Sequence, residues 1–353
     1  MDGAPVDAII LGHGLAGATL AWHLRWRGWR VLVVDRDEPV TSSKVAAGIV
    51  APISGRRVAR SWRADEFLPV ARAFYDRTAE ELGAGFYHPV PYVRLLRTAD
   101  EQRRWREKRD DPAFQRLLTS PQPEPLVDAA QFQAEGEGIE MQGAWLDVRG
   151  WLRASQRSLE RDGAWLTGDI PPQAVAAEES GVTVAEPFCL RARYLIFCQG
   201  WEAASSPFFP WLRWKSAKGE ILTVSAPSLK ERRIVNGGCW LLPGKEGVFR
   251  AGSTYAWNDF TTTPTAAARA TIESRLRSLL RVPFSVIEHQ AGIRPVINES
   301  KAVIGLHPVH RRLGFFNGLG SKGVLHAPFF AAQLAALLVD GAPVEYEMDL
   351  CRN

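Results

Sequence analysis

Three glycines and one acid give the first chemical lead. In AIILGHGLAGATLAWHLRWRGWRVLVVDRD, which starts at Ala8, Gly12, Gly14 and Gly17 complete a G-x-G-x-x-G spacing, and Asp35 follows eighteen residues beyond Gly17. Gly12 permits a tight turn, Gly14 lets a phosphate approach the backbone, and Gly17 lets a helix pack closely on a strand. Amides at a helix start then meet the anion, and an acid at the next strand end accepts from a ribose hydroxyl. A tight turn in an ordinary α/β core has similar glycines, so the flanking elements must decide.

Those elements fall in register. Residues 6–11 read as an apolar strand, Ala18 to Trp26 as a helix and 31–34 as the next strand, ending at Asp35. Strand, glycines, helix, strand and acid together point to a bound dinucleotide, FAD or NAD alike. Further on, the pattern predicts helices over 64–82 and 98–118, a strand in HPVPYVRLLR, a loop over 119–128 and a helix in VRGWLRASQRSLERDGA. A buried strand over 192–200 ends at Gly200, where α/β sheets meet ligands. Strand candidates at 219–225, 239–242 and 248–254 form a β-rich stretch, and a final helix runs from Ala327 to Val339 before Gly341. Two β-rich insertions within one nucleotide-binding domain fit this order.

Composition narrows the function classes. The 353 residues are 46% hydrophobic, enough for a large core. The 43 basic and 39 acidic residues are scattered, leaving a net charge of +4 with no concentrated cationic face for nucleic acid, while an anionic small substrate is compatible. The four cysteines lack C-x-x-C spacing, so neither a zinc site nor a disulfide framework is expected, and a reducing cytoplasmic setting is. His88, His289, His307 and His326 have no metal-ligand spacing. No run approaches about 18 uninterrupted apolar residues, so no membrane span is expected. Trp22, Trp26 and Trp29 read as packing residues.

Five further segments carry a family resemblance: SSKVAAGIVAP (42–52), YLIFCQG (194–200), KGEIL (218–222), GIRPVINESKAVIG (292–305) and GLGSKGVLHAP (318–328). With the opening unit, they make the chain resemble the D-amino acid oxidase-like (DAO) family of FAD-dependent amine oxidoreductases nearly end to end. The resemblance implies an α/β, Rossmann-like FAD-binding domain and a discontinuous α+β, mainly antiparallel substrate domain. The expected segments are 1–85, 142–215 and 288–353 for the cofactor, and 86–141 and 216–287 for the substrate. It implies oxidation of the C–N bond of a small amino acid or N-substituted amino acid by hydride transfer to flavin N5, followed by imine hydrolysis. Electrons then pass to oxygen or another acceptor that residue spacing does not identify.

The cofactor residues so implied are Gly12, Gly14, Leu15, Ala16, Gly17, Asp35, Arg36, Ser42, Ser43, Lys44, Ala47, Gly48, Ile49, Gly200, Gly318, Gly320, Ser321, Lys322, Gly323 and Val324. Some family members bind flavin covalently through a cysteine near the terminal loop. Here Gly320, Ser321 and Lys322 stand there, so noncovalent FAD is expected.

Four side chains stand out for the reaction. Arg294 can grip a substrate carboxylate through two parallel charge-assisted bonds, or can pair with Glu288 or Glu299 as a structural cation. Lys322 offers a charge to the flavin N1 and C2=O edge, or is a solvated loop lysine. Tyr255 can hydrogen-bond a carboxylate, or is an ordinary partly buried tyrosine. Arg56, with Arg57 and Arg60, offers a second anion contact, or these arginines form surface pairs. Two other readings stand beside amine oxidation: a flavin-fold binding protein without turnover, and an NAD-linked dehydrogenase.

Overall fold

Ala8 and Ile10 of the opening strand turn to one side, Ile9 and Leu11 to the other, and all four are buried. A strand apolar on both faces must be covered on both, as in the centre of a parallel sheet. In the computed structural model, which describes residues 5–133, 137–297 and 301–352, Val6–Leu11 lies between Val31–Asp35 and Leu190–Phe197, parallel to both. Trp165–Thr167 extends the sheet beyond Val31–Asp35; Leu313–Asn317 follows Leu190–Phe197, and Val303–Leu306 runs antiparallel at that edge.

Helices Leu15–Trp26, Ala64–Leu82, Val148–Arg161 and Gly323–Asp340 cover the Ala8 and Ile10 face, with Trp151, Phe67 and Phe330 among the buried contacts. The Ile9 and Leu11 face packs on Val182, Val184 and Phe209. One neighbour of the opening strand follows it directly, and the other comes far later in the chain. The crevice at the strand ends is therefore a topological switch point.

The second sheet follows the order Ser285–Arg294, Ala217–Ser225, Val248–Gly252, Trp240–Pro243, Ile234–Asn236, Tyr87–Leu95, Gly138–Leu146 and Ile49–Val50. It is antiparallel except where Ile234–Asn236 lies beside Tyr87–Leu95. Helix Ala266–Arg277 packs behind it, burying Ile272 and Leu276 against Leu222 and Val93. The α/β domain with a mainly antiparallel companion is thus present. The expected divisions at 141/142 and 287/288 fall inside Gly138–Leu146 and Ser285–Arg294, and Ile49–Val50 joins the second sheet from the first segment.

Local chemistry shifts several expected elements. The helix expected over 98–118 is broken: Thr98 caps Ala99–Arg106, and after a turn the Asp111 side chain accepts from Ala113 N at 2.8 Å to start Pro112–Gln115. Proline at 112 has no amide proton with which to continue the first helix. The fingerprint helix starts at Leu15, three residues before the expected Ala18.

The terminal helix starts at Gly323, four residues before the expected Ala327, with Pro328 inside it. Pro328 leaves the carbonyl of Val324 without its helical donor, and the Tyr75 hydroxyl donates to that oxygen at 3.1 Å instead. By length and apolarity this helix meets the criterion for a membrane span, but Leu325, Phe330, Leu334 and Leu338 are buried in the core. The four cysteines are unpaired.

Candidate active site

The two sheets enclose a cavity of about 1650 Å³, beyond the roughly 300–1,000 Å³ of a single-ligand pocket. Its cofactor-side wall is largely backbone. Gly12 has φ +97°, and a Cβ there would stand 2.7 Å from the Cys198 carbonyl oxygen; one on Gly17 would stand 1.9 Å from the Gly12 oxygen. The fingerprint helix starts on Gly14 with no capping side chain, and Ser43 Oγ accepts only the Leu15 amide, at 3.1 Å. A helix N-terminus so exposed suits a pyrophosphate.

Asp35 takes the His13 amide at 2.5 Å and the Asp37 amide at 2.7 Å, tying the glycine turn to the second strand. A carboxylate has further lone pairs for ribose hydroxyls. Burial lowers the pKa of the adjoining His13 to about 4, against the pull of Asp35.

Eighteen of the twenty expected cofactor residues line the cavity, including Leu15, Ala16, Ser42, Ala47, Gly48, Ile49, Gly200, Gly320, Ser321, Gly323 and Val324. Gly17 and Gly318 stand behind the wall. The first packs helix on strand, and the second, at φ +81°, has its Cβ position 3.0 Å from the Lys301 oxygen. Arg36 is paired with Glu202, and Lys44 with Asp37 at 2.9 Å. An extended dinucleotide fits this arrangement of unobstructed turn, free helix start and strand-end carboxylate.

The opposite wall belongs to the second sheet. Arg294 donates to Ser253 Oγ at 2.8 Å and Thr254 O at 3.1 Å, and its guanidinium carbon lies 4.1 Å from the Tyr255 ring centroid. It passes over Gly219, where a Cβ would come within 2.1 Å. Among the described residues no carboxylate pairs with it: Glu288 instead accepts from Thr223 Oγ1 at 3.4 Å, and Glu299 lies outside the described residues. Burial pulls its pKa below the ordinary arginine value.

Lys322 is no solvated loop lysine. Its Nζ donates to Ser61 Oγ at 2.9 Å and Ser54 Oγ at 3.2 Å, and burial lowers its pKa. Tyr255 departs from the partly buried alternative: it is 51% exposed and stacked on Trp257 at 5.8 Å. Of the arginine trio only Arg56 lines the cavity; Arg60 pairs with Asp65, and Arg57 is off the wall.

Several residues of the wall and of its support escaped sequence reasoning. Tyr92 and Asn236, joined by a 2.7 Å bond, stand on neighbouring strands whose parallel pairing has no local sequence signal. Lys218, fully buried, donates to Asp259 Oδ2 and Thr263 O, each at 2.6 Å, and pins loop 253–265 over the sheet. Phe260 of that loop stacks on Trp201 at 5.2 Å, across the cavity edge. Arg250 reaches the carbonyls of Val45 and Ala46; a lone cation in the apolar run VFRAG was the available clue.

A dinucleotide-binding α/β sheet joined to an antiparallel sheet over one shared cavity defines the architecture of a flavoprotein oxidoreductase. Residues 7–337 match the DAO model, described as FAD dependent oxidoreductase, and the chain belongs to that family. FAD is its cofactor, and Gly320, Ser321 and Lys322 offer no thiol for a covalent link. The NAD-linked and non-catalytic alternatives give way to this assignment.

Among curated relatives, the tRNA 5-methylaminomethyl-2-thiouridine biosynthesis bifunctional protein MnmC of Marinobacter nauticus is 24% identical over 93% of this chain and 54% of its own length. The protein of the same name from Burkholderia mallei is 26% identical over 98% and 58%. The chain spans a little over half the length of these relatives. Among solved structures, glycine oxidase from Geobacillus kaustophilus superposes with a TM-score of 0.82 at 20% identity, covering 99% of both chains. Iminodiacetate oxidase from Chelativorans sp. BNC1 gives 0.76 at 21% identity, covering 97% of this chain and 98% of its own.

Proposed function

We propose that this chain oxidises the C–N bond of a small amino acid or N-substituted amino acid, with Arg294 holding the substrate carboxylate. One observation carries the reading: a partly buried guanidinium on the cavity wall, with no acidic partner among the described residues, still has donors to spare after Ser253 and Thr254. An anionic amine completes it. Bound FAD supplies the acceptor for a hydride from the carbon that bears nitrogen, and the imine so formed is hydrolysed by water.

The chain's own groups do the rest. Amides of the fingerprint turn would hold the pyrophosphate and Asp35 the ribose, with Ala47 to Ile49 and Gly320 to Val324 on the wall left for the ring. Lys322 and the start of the terminal helix hold positive potential where negative charge develops on reduction. The Tyr255 ring packs on the Arg294 guanidinium, and Arg56 offers a contact for a second anion on the cavity wall. The first sheet forms the cofactor half and the second the substrate half, with the two boundary strands shared.

Anaerobic mixing with a panel of amino acids, N-alkyl glycines and the matching decarboxylated amines tests the reading. Bleaching of the flavin bands by carboxylated compounds alone supports it. Bleaching by the plain amines at equal concentration overturns it.

A second reading, an amine carried on an RNA nucleoside, draws on exposed Trp257 and Tyr255, stacked where they line the cavity beside Arg294. Exposed aromatics beside cations suit base stacking. The relatives named for tRNA biosynthesis lend it weight. Flavin bleaching by undermodified tRNA, with none by free amino acids, would select it.

A further inference from the structure

The turn Val45 to Ile49 on the cavity wall is gripped from two sides, by a helix that covers the first sheet and by a strand of the second. Helix Ser42–Val45 is four residues long, so its closing carbonyls need partners beyond itself. Two arginines from different elements provide them. Arg149, on helix Val148–Arg161, donates from Nε to Lys44 O at 2.5 Å; Arg250, on strand Val248–Gly252, donates to Val45 O at 2.5 Å and Ala46 O at 2.9 Å. Three successive carbonyls thus each take a guanidinium N–H. The chain then turns at Gly48, φ +74°, against Leu146, whose amide donates to Gly48 O at 3.0 Å and whose oxygen would lie 2.0 Å from a Cβ at 48.

Register shows what Arg250 connects. It lies opposite Thr223, Gly252 opposite Ile221, and Ala217 opposite Arg294. Residues 223, 221, 219 and 217 alternate along their strand, so Arg250 and Arg294 leave the same face of the second sheet. One end of that face carries the carboxylate anchor, and the other grips the turn Val45 to Ile49. No ion pair within 4.0 Å forms at Arg250 among the described residues; burial, with neighbouring Arg149, pulls its pKa down to about 10 against the longer-range pull of Glu288 and Asp147. Burying a guanidinium without a carboxylate is a poor way to stabilise a sheet, and an apolar side chain of similar size packs at lower cost.

We propose that Arg250 is a positioning residue for bound FAD, fixing the turn Ala47 to Ile49 at a set separation from the sheet face that carries Arg294. This rests on the reading that Ala47 to Ile49 face the flavin ring.

Arg250→Met, Arg250→Lys and, separately, Ala47→Ser test it by FAD titration, visible circular dichroism of bound flavin, and melting of the apo and holo proteins. The expected result is FAD binding weaker by about tenfold in Arg250→Met, altered flavin bands, a smaller rise in melting temperature on adding FAD, and partial recovery in Arg250→Lys. A merely structural arginine would lower the apo and holo melts equally and leave the flavin bands unchanged, which overturns the proposal. If Arg250→Met does not fold, Arg250→Lys decides by the same bands. Bands moved by Ala47→Ser but not by either Arg250 variant sink the role of Arg250 alone. Bands moved by none of the three sink the reading of the turn as well.

Discussion

The glycine turn on one wall of the cavity and Arg294 on the other handle charge differently. On the cofactor side, contact is offered by backbone amides around Gly12 and Gly14, and the nearby cations Arg36 and Lys44 are matched to Glu202 and Asp37. On the substrate side, Arg294 projects with only a hydroxyl, a carbonyl and an aromatic face for company. The difference teaches which part of each ligand is held by shape and which by charge. In the proposed function a pyrophosphate would meet fixed dipoles that glycines leave open, whereas a carboxylate would meet a side chain kept short of anions.

Four substitutions probe that contrast, in falling order of expected effect. Gly17→Val puts a side chain where even a Cβ lies 1.9 Å from the Gly12 oxygen, so the turn must deform. Affinity for FAD is expected to fall by about 100-fold or more, read as colourless purified protein. Retained yellow colour would show that the cofactor wall does not depend on this close approach.

Arg294→Leu should leave the flavin bound while KM for a carboxylated amine rises about 100-fold, since losing one member of a desolvated charge pair costs about 2–5 kcal/mol. An unchanged KM in steady-state assays would remove the charge-based reading of the substrate wall.

Lys322→Met is expected to lower kcat by about tenfold or more with FAD retained. Its pH profile sharpens the point. Burial lowers the Lys322 pKa, so the charged form, and the activity that depends on it, fades at a lower pH than for an ordinary lysine. The alkaline fall in kcat should be present in the parent and absent in Lys322→Met.

Tyr255→Leu removes one aromatic face from Arg294, a contact worth about 1 kcal/mol, and should raise KM about fivefold. A larger rise would mean that the phenol itself touches substrate.

Legibility in sequence divides along the same line. The cofactor wall was readable because glycine spacing encodes backbone geometry within one short stretch, and Gly12 and Gly17 occupy the strained and crowded positions that the spacing requires. Arg294 was readable from its motif, but its bed was not: Gly219 and Tyr255 reach it from other segments. Arg250 and Arg149 were missed because their targets are carbonyls, which carry no side-chain identity, and lie more than a hundred residues away. The early start of the terminal helix was hidden by Pro328, whose missing donor is replaced by Tyr75 from another helix. The break after Arg106 was legible in Asp111 and Pro112, and apolar periodicity alone overran it.

Leu15 of the fingerprint and Gly323 of the terminal loop stand together, with a Cβ on Gly323 reaching 2.9 Å from Leu15 Cδ1. The first and last quarters of the chain therefore build one surface. During synthesis the glycine turn leaves the ribosome long before its counterpart exists, and domains generally fold as units. Productive loading of the cofactor must wait until the segment around Gly323 has been made, so a nascent polypeptide stalled before residue 318 should emerge without flavin.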